Sequence, residues 1–161
     1  MTTTLRIGPE EVLSPDIRQL LQEHLSDMHS ISPAESAHAL DVDAFSAPGI
    51  DFWTVRDGQM LLGCGALKEL TPTEGEIKSM CTASGARRRG VATLMLAQLL
   101  EVARSRGYER VSLETGSDES IAPARRLYRS HGFIECPPFA DYSLDPHSVF
   151  MTLCPGASLS S

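Results

Sequence analysis

Residues 81–92 read Cys-Thr-Ala-Ser-Gly-Ala-Arg-Arg-Arg-Gly-Val-Ala and lead from an apolar, strand-like segment into an amphipathic helix. This order of strand, turn and helix start is the local geometry of a phosphate-binding site, because the unpaired N–H groups at a helix N-terminus point at the ligand. The two glycines let the backbone approach a phosphate closely, and the three arginines add charge and forked donors. The stretch therefore predicts a site for a phosphate-bearing cofactor.

Two nucleotide-binding motifs come close to this stretch without matching it. Gly85 and Gly90 have the spacing of a P-loop, but Val91 and Ala92 stand where that motif requires Lys and then Ser or Thr. The Gly-x-Gly-x-x-Gly fingerprint of dinucleotide-binding folds does not occur in the sequence. A P-loop nucleotide enzyme is therefore disfavoured, and detectable binding of ATP would revive it.

The remainder of the sequence predicts interleaved strands and helices. Apolar residues at three- and four-residue steps, with Ser-Pro starts or glycine stops, predict helices over Pro15–Asp27, 34–39, Val91–Arg106 and Pro123–Ser130. Apolar and alternating runs predict strands over Leu5–Ile7, Phe52–Val55, Met60–Leu67, Glu76–Thr82, Arg110–Thr115, Phe133–Cys136 and Val149–Leu153. We therefore expect an α/β fold with a mixed sheet, built as one domain over residues 1–155 and followed by a flexible tail at 156–161.

Composition and charge exclude several classes of function. The formal net charge of −7 argues against general nucleic-acid binding, which requires a basic face. No apolar run is long enough to span a bilayer, and the first residues have no signal-peptide core, so we expect a cytoplasmic protein without a membrane partner. The four cysteines are scattered without metal-ligand spacing, which predicts reduced, buried thiols and no metal site.

Two motifs taken together resemble those of the GCN5-related N-acetyltransferases, the GNAT family. Arg87-x-x-Gly90-x-Ala92 is similar to the family's Gln/Arg-x-x-Gly-x-Gly/Ala segment, and residues 124–133, Ala-Arg-Arg-Leu-Tyr-Arg-Ser-His-Gly-Phe, are similar to its Ala-x-x-Leu-Tyr-x-x-x-Gly-Phe segment. The resemblance spans roughly Phe52 to Leu153 and is strongest to a small bacterial branch. It implies a single-domain fold with a mixed, mostly antiparallel central sheet flanked by helices.

The resemblance also implies a site for acetyl-CoA as co-substrate, and it implies no metal. The pantetheine arm would pair with the backbone of Met80, Cys81 and Thr82, in a wedge where this strand splays from its neighbour. The pyrophosphate would be held by Arg87, Arg88, Arg89, Gly90, Val91, Ala92 and Thr93. Ile121 stands where the family often has Asn, which removes one cofactor hydrogen bond unless Ser120 or Asp118 replaces it.

Tyr128 is the candidate acid, because acetyl transfer to an amine releases a thiolate that needs a proton. Glu76 and Glu114 are equal candidates for the base that deprotonates the amine, and a chain of waters is the alternative. The backbone N–H of Met80 or Cys81 could hold the oxyanion that develops on the thioester carbonyl.

The acceptor site is expected in the first helices and the late loop, where candidate lining residues are His29, His38, Trp53, Asp141 and Tyr142. We expect the acceptor to be the primary amine of a small molecule, attacked directly. The alternatives are an amine of a protein or peptide, or a non-catalytic regulatory module that binds CoA. A homodimer remains open, because small domains of this kind often pair.

Overall fold

The computed structural model describes residues 5–10, 14–31, 49–83, 86, 90–140 and 142–154, with backbone only for residues 24–31, Ser79 and Ser120. Within these ranges the strands are β1 (Leu5–Pro9), β2 (Ile50–Asp57), β3 (Met60–Thr71), β4 (Glu74–Thr82), β5 (Arg110–Gly116), β6 (Ile134–Glu135) and β7 (Ser148–Leu153). The helices are α1 (Pro15–Ile31), α2 (Val91–Ser105) and α3 (Ala122–Ser130), and a 3-10 turn (Glu119–Ile121) precedes α3.

One sheet contains all seven described strands in the order β1-β2-β3-β4-β5-β7-β6. Every described pair is antiparallel except β4 with β5, which are parallel and are connected through α2. Such a connection requires a crossover of a dozen or more residues, which α2 supplies. The sheet confirms the predicted mixed, mostly antiparallel α/β fold.

Two hydrophobic cores cover the two faces of the sheet. On one face, α1 buries Ile17, Leu20 and Leu21 against Phe52, Cys64 and Ala66. On the other face, α2 and α3 pack on β3, β4 and β5 in a core that includes Leu67, Ile77, Met95, Leu99, Val111 and Tyr128. Since successive residues of a strand point to opposite faces, each strand near the centre supplies side chains to both cores.

The structure extends several predicted elements. Helix α1 continues to Ile31 and not Asp27, because residues 28–31 contain no helix breaker and the next residue, Ser32, precedes a proline, a position that disfavours helix. Strand β4 begins at Glu74, so the turn between β3 and β4 is shorter than predicted. The helix predicted over residues 34–39 and the tail lie outside the described residues.

No helix in the described ranges combines the length and the apolar character that crossing a membrane requires.

Candidate active site

The central feature of the site is a gap between the two parallel strands. Strand β4 pairs with β5 from Glu74↔Arg110 to Ile77↔Leu113, and no further pairs follow between the described residues of these strands. The next five residues of β4 remain bonded to β3 alone, as Lys78↔Ala66 and Cys81↔Cys64 show. The edge of β4 beyond Ile77 therefore presents backbone N–H and C=O groups to the gap, which suits an extended amide-bearing chain.

A β-bulge and a helix start lie beside this gap. Two residues of β4, Ser79 and Met80, lie opposite the single residue Gly65 of β3. A Cβ at Gly63 would lie 2.7 Å from Val91 Cγ1 and 2.9 Å from the Cys81 carbonyl oxygen, so only glycine lets the first turn of α2 pack this closely on β3 and β4. The N-terminus of α2 is thereby held at the end of the gap.

The structure describes only the helical part of the predicted pyrophosphate site, from Gly90 to Thr93. Gly90 precedes α2 with a positive φ of 76°, Val91 is buried, and Ala92 and Thr93 belong to the first turn of the helix. Arg87, Arg88 and Arg89 lie outside the described residues. The unpaired N–H groups of this first turn fit a phosphate group.

The position of Tyr128 is fixed by the end of α3. Gly132 adopts a φ of 101°, the Gly132 N–H donates to the Arg129 carbonyl, and the Phe133 N–H donates to the Tyr128 carbonyl. These two bonds form a Schellman motif, in which the residue after the glycine also packs on the helix. Here that contact joins the rings of Phe133 and Tyr128, whose centroids lie 5.9 Å apart with an interplanar angle of 63°.

Tyr128 is buried on the α2 and α3 face of the sheet. Burial, and to a smaller extent the charge of the Cys81 thiolate, raise the pKa of its hydroxyl to about 12, so the hydroxyl stays protonated at neutral pH. Met80 of β4 packs against the core cluster that contains Tyr128. A protonated hydroxyl at this place can donate a proton to a leaving thiolate.

A polar cluster occupies the opposite face of the same strands. Glu76 is 2% exposed, and its Oε2 accepts hydrogen bonds from the Tyr142 hydroxyl at 2.6 Å and from Lys78 Nζ at 3.1 Å. Lys78 Nζ also donates to the Tyr142 hydroxyl oxygen at 2.8 Å. Buried charges require such pairing, because desolvation of an unpaired charge is very unfavourable.

The loop between β6 and β7 supplies Tyr142 and packs it over the sheet. The Tyr142 ring lies 5.1 Å from the ring of Phe139 and 5.5 Å from that of Phe150, measured between centroids. Burial raises the pKa of Tyr142, and the charges of Glu76 and Glu114 raise it further. Glu114 is half-buried beside this cluster and accepts a 2.6 Å hydrogen bond from Ser148 Oγ.

The structure brings together the two candidate bases, Glu76 and Glu114, and one candidate residue of the acceptor site, Tyr142. It does not bring Trp53 to them, because Trp53 pairs with Gly65 and packs on the α2 and α3 face. The Trp53 Nε1 is buried without a hydrogen-bond partner among the described residues. For His29 the structure describes only the backbone, within α1, and His38 and Asp141 lie outside the described residues.

Lys78 is the residue of this cluster that was not among the candidates predicted from the sequence. Its spacing from Glu76 did predict their contact, since two residues that are two apart on a strand share a face of the sheet. The sequence did not indicate that this face is buried by the loop that carries Tyr142. That information is available only from the tertiary structure.

Ile121 ends the 3-10 turn before α3, and its side chain packs near Gly116 at the end of β5. Arg125 holds this turn by donating to the carbonyl oxygens of Gly116 at 2.6 Å and Asp118 at 3.0 Å. Of the two residues suggested in place of the absent Asn, Asp118 is exposed, and the Ser120 side chain is not described.

A separate groove of about 350 Å³ lies between α1 and the turn that joins β2 to β3, and its lining includes Asp16, Glu23, Met60 and Ala83. It does not include the cluster around Glu76 or Tyr128, and we do not assign the reaction to it. Among the described residues, no group of three or more His, Cys, Asp or Glu side chains is placed to hold a metal ion.

Comparison with known proteins shows the family of the chain. The model of the acetyltransferase (GNAT) family matches residues 15–133. The N-acetyltransferase YsnE of Bacillus subtilis is 50% identical over 148 residues, covering 92% of this chain and 98% of YsnE. The N-acetyltransferase YedL of Escherichia coli is 47% identical over 147 residues, covering 91% of this chain and 92% of YedL.

A solved structure supports the fold as well. YncA of Salmonella typhimurium, determined with its cofactor acetyl-CoA, superimposes with a TM-score of 0.69 over 95% of each chain, at 14% identity. The family model and the two relatives identify the chain as an acyltransferase. The chain belongs to the GNAT family, and it is an acetyl-CoA-dependent acetyltransferase.

Proposed function

We propose that the protein transfers an acetyl group from acetyl-CoA to the primary amine of a small molecule, by direct attack of the amine. The observation that carries this proposal is the gap between β4 and β5 beyond Ile77 and Leu113, with Tyr128 on one face of the sheet and Glu76 on the other. Bound acetyl-CoA supplies the activated acetyl group. The unpaired edge of β4 and the N-terminus of α2 would hold its arm and its pyrophosphate.

Tyr128 donates a proton to the departing thiolate in this proposal. Its pKa of about 12 keeps the hydroxyl protonated, and the core cluster of Tyr128 packs against Met80 of the strand that would hold the arm. The Schellman motif and the contact with Phe133 hold the Tyr128 ring in the structure without substrates, so the proton donor is positioned in advance.

Glu76 accepts the proton of the attacking amine in this proposal. Glu76 is the residue of β4 just before Ile77, after which the gap to β5 opens. Glu114 lies further along β5, just after Leu113, and it accepts a hydrogen bond from Ser148. Both hydrogen bonds from Tyr142 and Lys78 end on Oε2 of Glu76. We therefore assign Oε1 as the oxygen that takes the proton.

A small acceptor is favoured over a protein acceptor by the loop between β6 and β7. Tyr142 and Phe139 of this loop pack against Phe150 of the sheet, so the loop covers the face on which Glu76 lies. An acceptor must reach Glu76 beneath this loop, which suits a slender amine better than a folded protein surface.

The test is release of the CoA thiol from acetyl-CoA with a panel of amines: L-lysine, spermidine, kanamycin and a lysine-containing peptide. We expect turnover with at least one of the small amines and less with the peptide. Calorimetric binding of acetyl-CoA without thiol release from any amine would instead favour the non-catalytic module, and faster turnover with the peptide would favour a protein acceptor.

A matched pair of variants tests the base. Glu76→Gln and Glu114→Gln make the same chemical change on the same face of the sheet. We expect Glu76→Gln to lower kcat about 100-fold, the usual contribution of a positioned base, and Glu114→Gln to have the smaller effect. The reverse order would transfer the role to Glu114, and full activity of both variants would favour a chain of waters.

A further inference from the structure

We propose that Lys78 and Tyr142 are positioning residues that orient the Glu76 carboxylate toward the acceptor amine. This inference rests on the proposed function, in which Glu76 takes the proton of the amine. It extends that function to the two side chains that bond directly to Glu76.

The three side chains form a closed triangle of hydrogen bonds. Lys78 Nζ lies 2.8 Å from the Tyr142 hydroxyl oxygen and 3.1 Å from Glu76 Oε2, and that hydroxyl lies 2.6 Å from the same Oε2. Lys78 Nζ also lies 5.5 Å from the centroid of the Tyr142 ring, within the range of a cation–π contact. One carboxylate oxygen is therefore held from two directions.

The directions of these bonds are fixed by chemistry. The ammonium group of Lys78 can only donate. The raised pKa of Tyr142, caused by burial and then by the charge of Glu76, keeps its hydroxyl protonated, so the hydroxyl donates to Glu76 and its oxygen accepts from Lys78. The carboxylate has one orientation that satisfies both donors, and that orientation turns Oε1 away from them.

Stability alone gives little reason for a buried lysine at this place. Lys78 is one of two lysines in the chain, and its side chain is 8% exposed. Replacing a buried ion pair by apolar side chains is often neutral or stabilising, because desolvation offsets the attraction between the charges. The neighbouring residue across β3 is the buried Ala66, an apolar surrounding in which an apolar residue would fit. The position of Lys78 against Glu76 suggests a role in the reaction.

The experiment compares Lys78→Met, Lys78→Arg and Tyr142→Phe with the wild-type protein, using acetyl-CoA and the most active amine of the panel above. We expect Lys78→Met to lower kcat about tenfold, which corresponds to loss of one hydrogen bond between charged groups. Lys78→Arg should restore most of the rate, because arginine can also donate to Glu76 Oε2. The KM for acetyl-CoA should change little in all three variants.

A wild-type kcat for Lys78→Met would overturn the inference, as would failure of Lys78→Arg to improve on Lys78→Met. If thermal denaturation shows that Lys78→Met is not folded, the kcat of Tyr142→Phe tests the inference instead. A tenfold lower kcat supports the inference, and an unchanged kcat overturns it. Tyr108→Phe is the control, since Tyr108 is also buried and donates to a glutamate, Glu69, on a different part of the sheet. Full activity of Glu76→Gln would instead remove Glu76 as the base and with it the ground of this inference, whereas no turnover with any amine would contradict the proposed function itself.

Discussion

Tyr128 shows how much a single residue depends on its surroundings. The sequence motif selected it, and the structure describes why its hydroxyl suits proton donation: burial raises the pKa to about 12, and the ring is held by Phe133. The motif contains Phe133, but it could not predict the raised pKa, which arises from burial in the core and from Cys81, a residue distant along the chain. A residue type and its spacing indicate a candidate, whereas its chemistry depends on packing.

We expect Tyr128→Phe to lower kcat about 100-fold, because a positioned general acid contributes roughly 10²- to 10⁴-fold. The affinity for acetyl-CoA, measured by calorimetry, should change less than about twofold, since only the hydroxyl is removed and the ring contact with Phe133 remains. Tyr108→Phe serves as the matched control and should retain the wild-type rate. Equal rates for Tyr128→Phe and the wild type would exclude Tyr128 from the mechanism.

At the level of elements, the termini of helices were predicted well where a glycine ends them. Gly107 and Gly132 both follow a helix with a positive φ, and both stand in Schellman motifs. The end of α1 at Ile31 was misjudged, because its apolar face gave no sign of where the helix stops. The gap between β4 and β5 was expected only through the family resemblance, since strand pairing leaves no local signal in the sequence.

We predict that Gly132→Ala lowers both stability and kcat, because α3 would lose the geometry that holds Tyr128. The φ of 101° is strained for alanine, and the new Cβ would lie 3.1 Å from Leu153 Cδ1. A strained left-handed residue costs about 1 to 2 kcal/mol, which corresponds to a decrease in Tm of roughly 2 to 8 °C for a chain of this size.

Gly107→Ala is the matched control for this prediction. Gly107 occupies the same position after α2, with a φ of 77°, and a Cβ there has open space. Gly107→Ala should lower Tm through backbone strain alone. It should leave kcat unchanged, since α2 ends far from Tyr128 in the sequence and the residue that follows Gly107 is Tyr108, to which we assign no part in the reaction. A kcat that falls equally in both variants would show that general loss of stability, and not the position of Tyr128, explains the result.

For the whole molecule, the sequence predicted the class of fold and the order of most elements, because apolar periodicity and glycine stops are local signals. It could not predict which side chains meet across the sheet. Glu76 and Tyr142 are 66 residues apart in the chain, yet the Tyr142 hydroxyl oxygen lies 2.6 Å from Glu76 Oε2 in the fold. Ranking Glu76 above Glu114, and recognising Lys78, therefore required the tertiary structure.

The burial of tyrosines predicts the alkaline stability of the whole protein. Tyrosine in an unfolded chain ionises near pH 10, whereas burial raises the pKa values of Tyr108, Tyr128 and Tyr142 in the fold, that of Tyr128 to about 12. A group with a raised pKa in the folded state contributes stability below the unfolded value, and that contribution is lost as the pH rises toward the folded value. The free energy of unfolding should therefore fall above pH 10.

Tyr128→Phe isolates the share of one residue in this fall. Between pH 10 and 12 the unfolded wild-type chain loses the Tyr128 proton while the folded chain keeps it, which destabilises the fold by roughly 2 to 3 kcal/mol. The phenylalanine variant lacks this loss, while the cysteines and the other tyrosines titrate alike in both proteins. Urea denaturation at pH 8, 10 and 11.5 should thus show a shallower decline of the free energy of unfolding for the variant. Parallel declines would mean that the Tyr128 hydroxyl ionises as readily in the fold as in water, and the same result would weaken its assignment as a proton donor that is ready before the substrates bind.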